Sequence, residues 1–197
     1  MKKGWVVLIA VVVVLLLIIG RVVGIYNSLV TLEEGVNQSW AQVGNQYQRR
    51  ADLIPNLVET VKGYASHERE TLEGVIQARA NATSLNVTPE VLNDPAAFAK
   101  FQQVQGEIST ALSRLMAVVE NYPNLKANEN FLALQSQLEG TENRIAVERQ
   151  RFNQTVQSFN TRIRQFPTNI FAGMFGFGKK LYFEAQEGAE IAPKVEF

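Results

Sequence analysis

The sequence predicts an all-α membrane protein: an N-terminal transmembrane helix followed by an antiparallel helical bundle of three to four long helices. Three observations carry this. An uncharged apolar run fills residues 5–20, apolar side chains then recur at alternating spacings of three and four, and strand patterns are almost absent.

The run from Trp5 to Gly20 carries no charged or polar side chain, with Lys2 and Lys3 before it and Arg21 after it. At a helical rise of about 1.5 Å per residue it covers roughly 25 Å, slightly short of a ~30 Å hydrocarbon core. Val22 to Ile25 supply the missing turn if Arg21 snorkels to the headgroups. Trp5, Leu8, Leu16, Ile19 and Arg21 are the anchor residues of this reading. A cleaved signal peptide is the competing reading. The apolar core is long for one and no A-x-A-like site follows, so a retained anchor over 1–25 is expected.

Residues 26–167 read as the bundle. Val36, Trp40, Val43 and Tyr47 form one stripe, and Ile54, Leu57, Val61, Tyr64, Leu72 and Val75 form the next, with polar residues between them. Asn81 to Pro89 is rich in turn formers. Asp94 and Pro95 then read as a cap and first turn, opening a stripe from Phe98 to Tyr122 that Pro123 ends. A last stripe runs from Phe131 to Phe166 and stops at Pro167.

Pro55 is ambiguous. Arg49 and Arg50 suit a helix C-terminus and Asp52 a new cap, which favours a break or sharp bend and segments 26–51, 53–80, 95–122 and 128–166. Yet the stripe passes through Pro55 in phase, as in a kinked continuous helix. A continuous helix would leave the half bearing Trp40 and Tyr47 without an intrachain partner, to be covered by another subunit.

Tyr26-Asn27-Ser28-Leu29-Val30, Trp40, and Arg49 through Val58 together resemble the bacterial LemA family. So do Glu142-Asn143-Arg144-Ile145-Ala146, Arg149, Arg151-Phe152-Asn153, Phe159 through Ile163, Phe166-Pro167, Phe183 and the ending Pro193 to Phe197. The resemblance covers nearly the whole chain. It implies a single-pass protein with a helical bundle outside the bilayer, no established catalytic residues and some relatives in magnetosome membranes. No functional residue carries over.

Chemistry is hard to place on this composition. There is no cysteine, a single histidine and zero formal net charge, which argues against disulfides, thiol catalysis and a nucleic-acid surface. A di-iron bundle needs two Glu-x-x-His motifs, but the residue three before His67 is Tyr64. His67-Glu68-Arg69-Glu70 reads as a solvated helix face. No nucleophile elbow or phosphate-binding glycine motif is present. Catalytic, cofactor and metal residues are therefore none, cofactors are none, and the protein is read as a non-enzyme. Arg49, Arg50 and Asp52 read as helix-surface or bend-capping charges, with an anion or lipid contact as the alternative.

The aromatic, glycine-rich segment 168–197 is the best functional candidate. Phe171, Phe175 and Phe177 flank Lys179 and Lys180, and with Trp40 and Tyr47 they are the candidate interface or membrane contacts. The rings either cover protein, at the bundle end or on a neighbour, or sit at the headgroup boundary. The expected function is a non-enzymatic, membrane-anchored scaffold that self-associates and organises or remodels membrane. The alternative is an accessory or sensor module on another membrane protein. Expected partners are the lipid bilayer, a second copy of the chain and other membrane proteins. The resemblance implies a bacterial membrane, expected to be the cytoplasmic one, and the charge flanks favour a bundle outside the cytoplasm.

Overall fold

The computed structural model describes residues 2–85 and 87–184; the Pro193 to Phe197 ending lies outside them. The elements are α1 (Lys2–Lys62), α2 (Arg69–Thr83), a 3-10 turn (Pro89–Asn93), α3 (Pro95–Val119), α4 (Pro123–Lys126), α5 (Glu129–Arg164) and α6 (Thr168–Met174), with no strand among the described residues. The last described stretch after α6 is extended and lies against the bundle.

α1 is one unbroken helix of 61 residues, about 90 Å long at the standard rise. The helix break expected at Pro55 is therefore not present, and the alternative of a continuous helix through Pro55 holds. A proline removes the amide that would bond the carbonyl four residues back, here that of Ala51. Arg79, on α2, fills that vacancy: its Nε donates to the Ala51 carbonyl oxygen at 2.8 Å. The reversal occurs instead after Lys62, at Gly63 to Glu68, so His67 lies in an exposed turn and not on a helix face. The second segment accordingly begins at Arg69, and Leu53 to Val61 belong to α1.

α5 returns antiparallel to α1 along its whole non-anchor length. Asn128 reaches Tyr64 just above the tip of α1, Glu142 meets Arg50, and Thr155 lies beside Gly35. α2 and α3 complete the half of the bundle distant from the anchor. Asp94 caps α3 by accepting from the Ala96 and Ala97 amides (2.8 and 3.2 Å), and Asn128 caps α5 through the Phe131 amide (3.0 Å).

Two apolar clusters result. The distal one gathers Ile54, Leu57 and Val61 with Val75, Ile108, Leu115 and Phe131. The proximal one gathers Leu29, Val36, Trp40 and Val43 with Phe98, Phe101, Phe152, Phe159 and Phe183. Trp40 is only 1% exposed and Tyr47 is also buried. The inference that a continuous α1 leaves these two residues to another subunit is thus overturned: α5, the start of α3 and the extended tail cover them within one chain.

Candidate functional site

The anchor is the first feature of the site. Within α1 an 18-residue window has a mean hydropathy of 3.3 and none of it is buried. Trp5, Leu8, Leu16 and Ile19 all project free of the bundle, and Arg21 is exposed. Apolar surface on that scale requires a hydrocarbon environment. Because α1 runs without interruption into the bundle, the anchor and the distal helices are coupled through one rod.

The second feature is a polar layer between the two clusters. Arg50 is 1% exposed. Its Nη1 donates to Glu142 Oε1 (2.9 Å) and Ser109 Oγ (3.0 Å), and its Nη2 to Gln105 Oε1 (2.6 Å) and the Gln105 carbonyl (3.1 Å). The guanidinium lies 5.1 Å from the Tyr47 ring centroid. Burial pushes the Tyr47 phenol above its ordinary pKa, opposed by the charges of Arg149 and Arg50. A cleft of about 90 Å³ opens here between Tyr47, Arg50, Glu142 and Arg149. That is well below the ~300 Å³ of an ordinary small-molecule pocket, and the layer ties α1, α3 and α5 together instead. Arg49 is exposed and Asp52 accepts from Gln48 Nε2 (2.8 Å), so the charged motif divides into one buried tie and two surface residues.

The third feature is the docking of the extended tail. The Asn160 carboxamide donates to the Lys180 carbonyl and accepts from the Lys180 amide, both at 2.9 Å. Asn153 repeats this two-bond clamp on Phe183, again at 2.9 Å. The repeat is geometric. Seven residues of helix rise about 10.5 Å and three extended residues span about 10 Å, so a heptad of α5 matches three residues of an antiparallel strand. Arg149 then stacks over the Phe183 ring at 4.5 Å and donates to the Glu184 carbonyl. Phe183 closes the box around Trp40, whose Nε1 has no acceptor among the described residues.

The candidate contact residues therefore divide. Trp40, Tyr47 and Lys180 are interior. Lys180 pairs with Glu33 Oε1 (2.7 Å) and donates to Asn93 Oδ1 (2.9 Å), so its ammonium is committed inside the chain. Phe171 and Phe177 are half-buried, while Phe175 and Lys179 are exposed. Tyr26 on α1 contacts Phe175 and Phe177 edge-on, with centroids 5.1 and 5.9 Å apart. α6 is thereby placed at the foot of the bundle, one turn beyond the apolar anchor. Phe166, Ile170, Met174 and Phe175 remain exposed there, Met174 by 73% and Phe166 by 81%.

Among the described residues no three His, Asp or Glu side chains gather as a metal site would require. Sequence reasoning read Arg50 as a helix-surface or bend-capping charge where it is a buried tie, and gave no role to Asn153, Asn160 or Arg79. Arg50 and Asn160 fall on apolar stripes, a detectable signal; the partners of Arg79 and Asn153 depend on long-range contacts.

Comparison with known proteins finds relatives over most of the chain. Magnetosome protein MamQ 1 of Paramagnetospirillum magneticum and magnetosome protein MamQ of Magnetospirillum gryphiswaldense are each 26% identical to this chain over 189 residues, covering 86% of it and 70% of each relative. Protein LemA of Metamycoplasma hominis is 24% identical over 165 residues, covering 84% of this chain and 71% of the relative. None of these names denotes an enzyme. The model of the LemA family matches residues 39–197, from the helix that carries Trp40 through the tail. The chain is a membrane-associated member of the LemA family.

Proposed function

We propose that the protein is a non-enzymatic scaffold that stands on the bacterial cytoplasmic membrane, self-associates there and organises or remodels the bilayer. The observation that carries this reading is the unbroken α1, which joins a free apolar segment to a cross-braced bundle with no hinge between them. A rigid post of this kind presents its flanks at a fixed orientation to the membrane. Arg50 and Lys180 are ion-paired tethers and the single histidine is in a turn, which fits a structural role for these groups.

Self-association draws support from exposed apolar residues on the bundle flank, Ile76 on α2 and Leu132 and Val147 on α5. Confinement to a membrane raises the effective concentration of such flanks and makes weak lateral contacts productive. The magnetosome relatives lend the membrane-organising role its plausibility by kinship. Chemical crosslinking of the full chain in detergent and in vesicles is the test. Discrete multimers in vesicles are expected, and a strictly monomeric species in both media overturns the scaffold. The two lysines before the span support a bundle outside the cytoplasm, and complete protease protection of the bundle in right-side-out vesicles would overturn that reading.

A further inference from the structure

We propose that the foot of the bundle is a second, peripheral membrane contact: α6 immerses Ile170, Met174 and Phe175 at the acyl boundary while Arg162 and Arg164 bind anionic headgroups. It rests on the reading of α1 as a membrane span, and is independent of self-association.

Three observations converge on a lipid surface as the occupant. The first is height. α5 is antiparallel to α1, and its last turn lies level with the start of the bundle, where Tyr26 meets Phe175. The apolar run of α1 ends at Ile25, so the lipid boundary falls within about one helical turn (5.4 Å) of that contact. A bundle upright on α1 has no position in which this foot is remote from the bilayer.

The second is polarity. Ile170 and Met174 lie four residues apart on one face of α6, while Thr168 and Ala172 on the opposite side are buried against the bundle. The helix is amphipathic in the inverted sense: its inner face is satisfied and its outer face is apolar. Phe166 and Phe175 extend that face at either end, and the half-buried Phe171 stacks beneath Phe175 at 6.5 Å. Aromatic and aliphatic side chains level with a span suit the interfacial belt.

The third is charge. No Asp or Glu occurs in residues 1–32 or in residues 149–183, although the whole chain is formally neutral. The segments that meet at the foot therefore contribute only cations, Arg21, Arg162 and Arg164, with Lys179 farther out. Lys180 is excluded because Glu33 holds it. Arg164 is exposed, and the half-buried Arg162, whose Nε is enclosed, has among the described residues only a long 3.4 Å contact from Nη1 to Gln165. Each basic side chain near an anionic leaflet contributes about 1 kcal/mol, and that contribution fades within a Debye length.

The absence of cysteine makes the test clean. Ile170→Cys and Met174→Cys, both at exposed positions, carry a nitroxide in the full chain, with Gln150→Cys on the exposed flank of α5 as the aqueous reference and Leu16→Cys as the hydrocarbon reference. Proteins are reconstituted at high lipid excess into phosphatidylcholine vesicles with or without phosphatidylglycerol. Collision with dissolved oxygen is then compared with collision with a water-soluble nickel chelate. The expected oxygen-to-nickel ratio at 170 and 174 is several-fold above that at 150 in the anionic vesicles. It should fall when phosphatidylglycerol is omitted, and also in the Arg162→Glu/Arg164→Glu background with helicity unchanged by circular dichroism.

A ratio at 170 and 174 equal to that at 150 overturns the proposal, as does shielding that grows with protein density, which would assign the foot to another copy. Shielding indifferent to lipid charge and to the arginine reversal overturns the headgroup assignment. A water-like ratio at position 16 would instead mean that the span itself has failed, separating the two readings.

Discussion

Tyr47 is a phenol in a dry core, with the Arg50 guanidinium against its ring and Arg149 close by. Its pKa is raised first by burial, so the folded state holds its proton more tightly than the unfolded chain does. Tyr122 is shifted the same way, because its hydroxyl donates to Glu68 Oε1 at 3.0 Å and loss of that proton would face a carboxylate. A raised folded pKa gives a contribution that is complete below the unfolded value of about 10 and is lost as pH climbs through the folded value. Denaturant midpoints measured from neutral to strongly alkaline pH should therefore fall above about pH 10. Tyr47→Phe should fall less steeply, and identical slopes would refute this account. At this scale the sequence was informative but easily misread. Val43, Tyr47, Arg50, Ile54, Leu57 and Val61 follow an unbroken four-three alternation, which places Arg50 on the inward stripe. Beside Arg49 and Asp52 it resembles a helix-end charge. Its acceptors Gln105, Ser109 and Glu142 are more than fifty residues away in sequence, and only the fold brings them to it.

Among the elements, α1 depends on a side chain supplied by α2. With Pro55 lacking an amide, the buried Ala51 carbonyl would be orphaned if Arg79 were removed, and an unsatisfied buried backbone acceptor costs about 1–3 kcal/mol. Arg79→Met should destabilise by that order in thermal or denaturant unfolding. In a Pro55→Ala background the restored amide bonds the same carbonyl, and the loss should shrink to a small fraction. Equal losses in both backgrounds would show that Arg79 acts by some other route. This compensation explains why the first helix boundary read from the sequence, at Pro55, differs from the observed one after Lys62. Local rules near Pro55 argue for a stop, while the acceptor's rescue comes from a residue 28 positions later. Where the signals are local the reading holds closely. Asp94 caps α3 as its spacing implies, and the expected 128–166 segment corresponds to α5 at Glu129–Arg164.

For the whole molecule, the described C-terminal tail acts as a strap closing the proximal half. It crosses the α1–α5 groove with two asparagine clamps and delivers Phe183 against Trp40. Asn160→Ala should release the Lys180 amide and Asn153→Ala the Phe183 amide, seen as hydrogen exchange rising at those sites while the α1 core amides of the distal half stay protected. Exchange unchanged in the double variant would mean that apolar contacts alone hold the strap. The strap was not legible in advance. Its glycines and aromatics suggest a surface segment, and Asn153 and Asn160 enter only as parts of a family resemblance. A helix-to-strand register of seven against three has no local pattern to announce it. Equally, a continuous first helix suggested an edge left to another subunit, whereas the strap, α5 and α3 cover that edge, which bears Trp40 and Tyr47.

The hingeless passage of α1 from its oily segment into the bundle has a mechanical consequence. About 37 residues of that helix stand beyond Ile25, a mast of roughly 55 Å. Spans longer than the local hydrocarbon thickness relieve the mismatch by leaning, and an inclination of about 20° is ordinary. Transmitted through a stiff mast, it carries the far tip sideways by roughly 19 Å. A thinner patch of lipid would thus be registered as lateral reach at the tip, where Tyr64 and Asn128 meet.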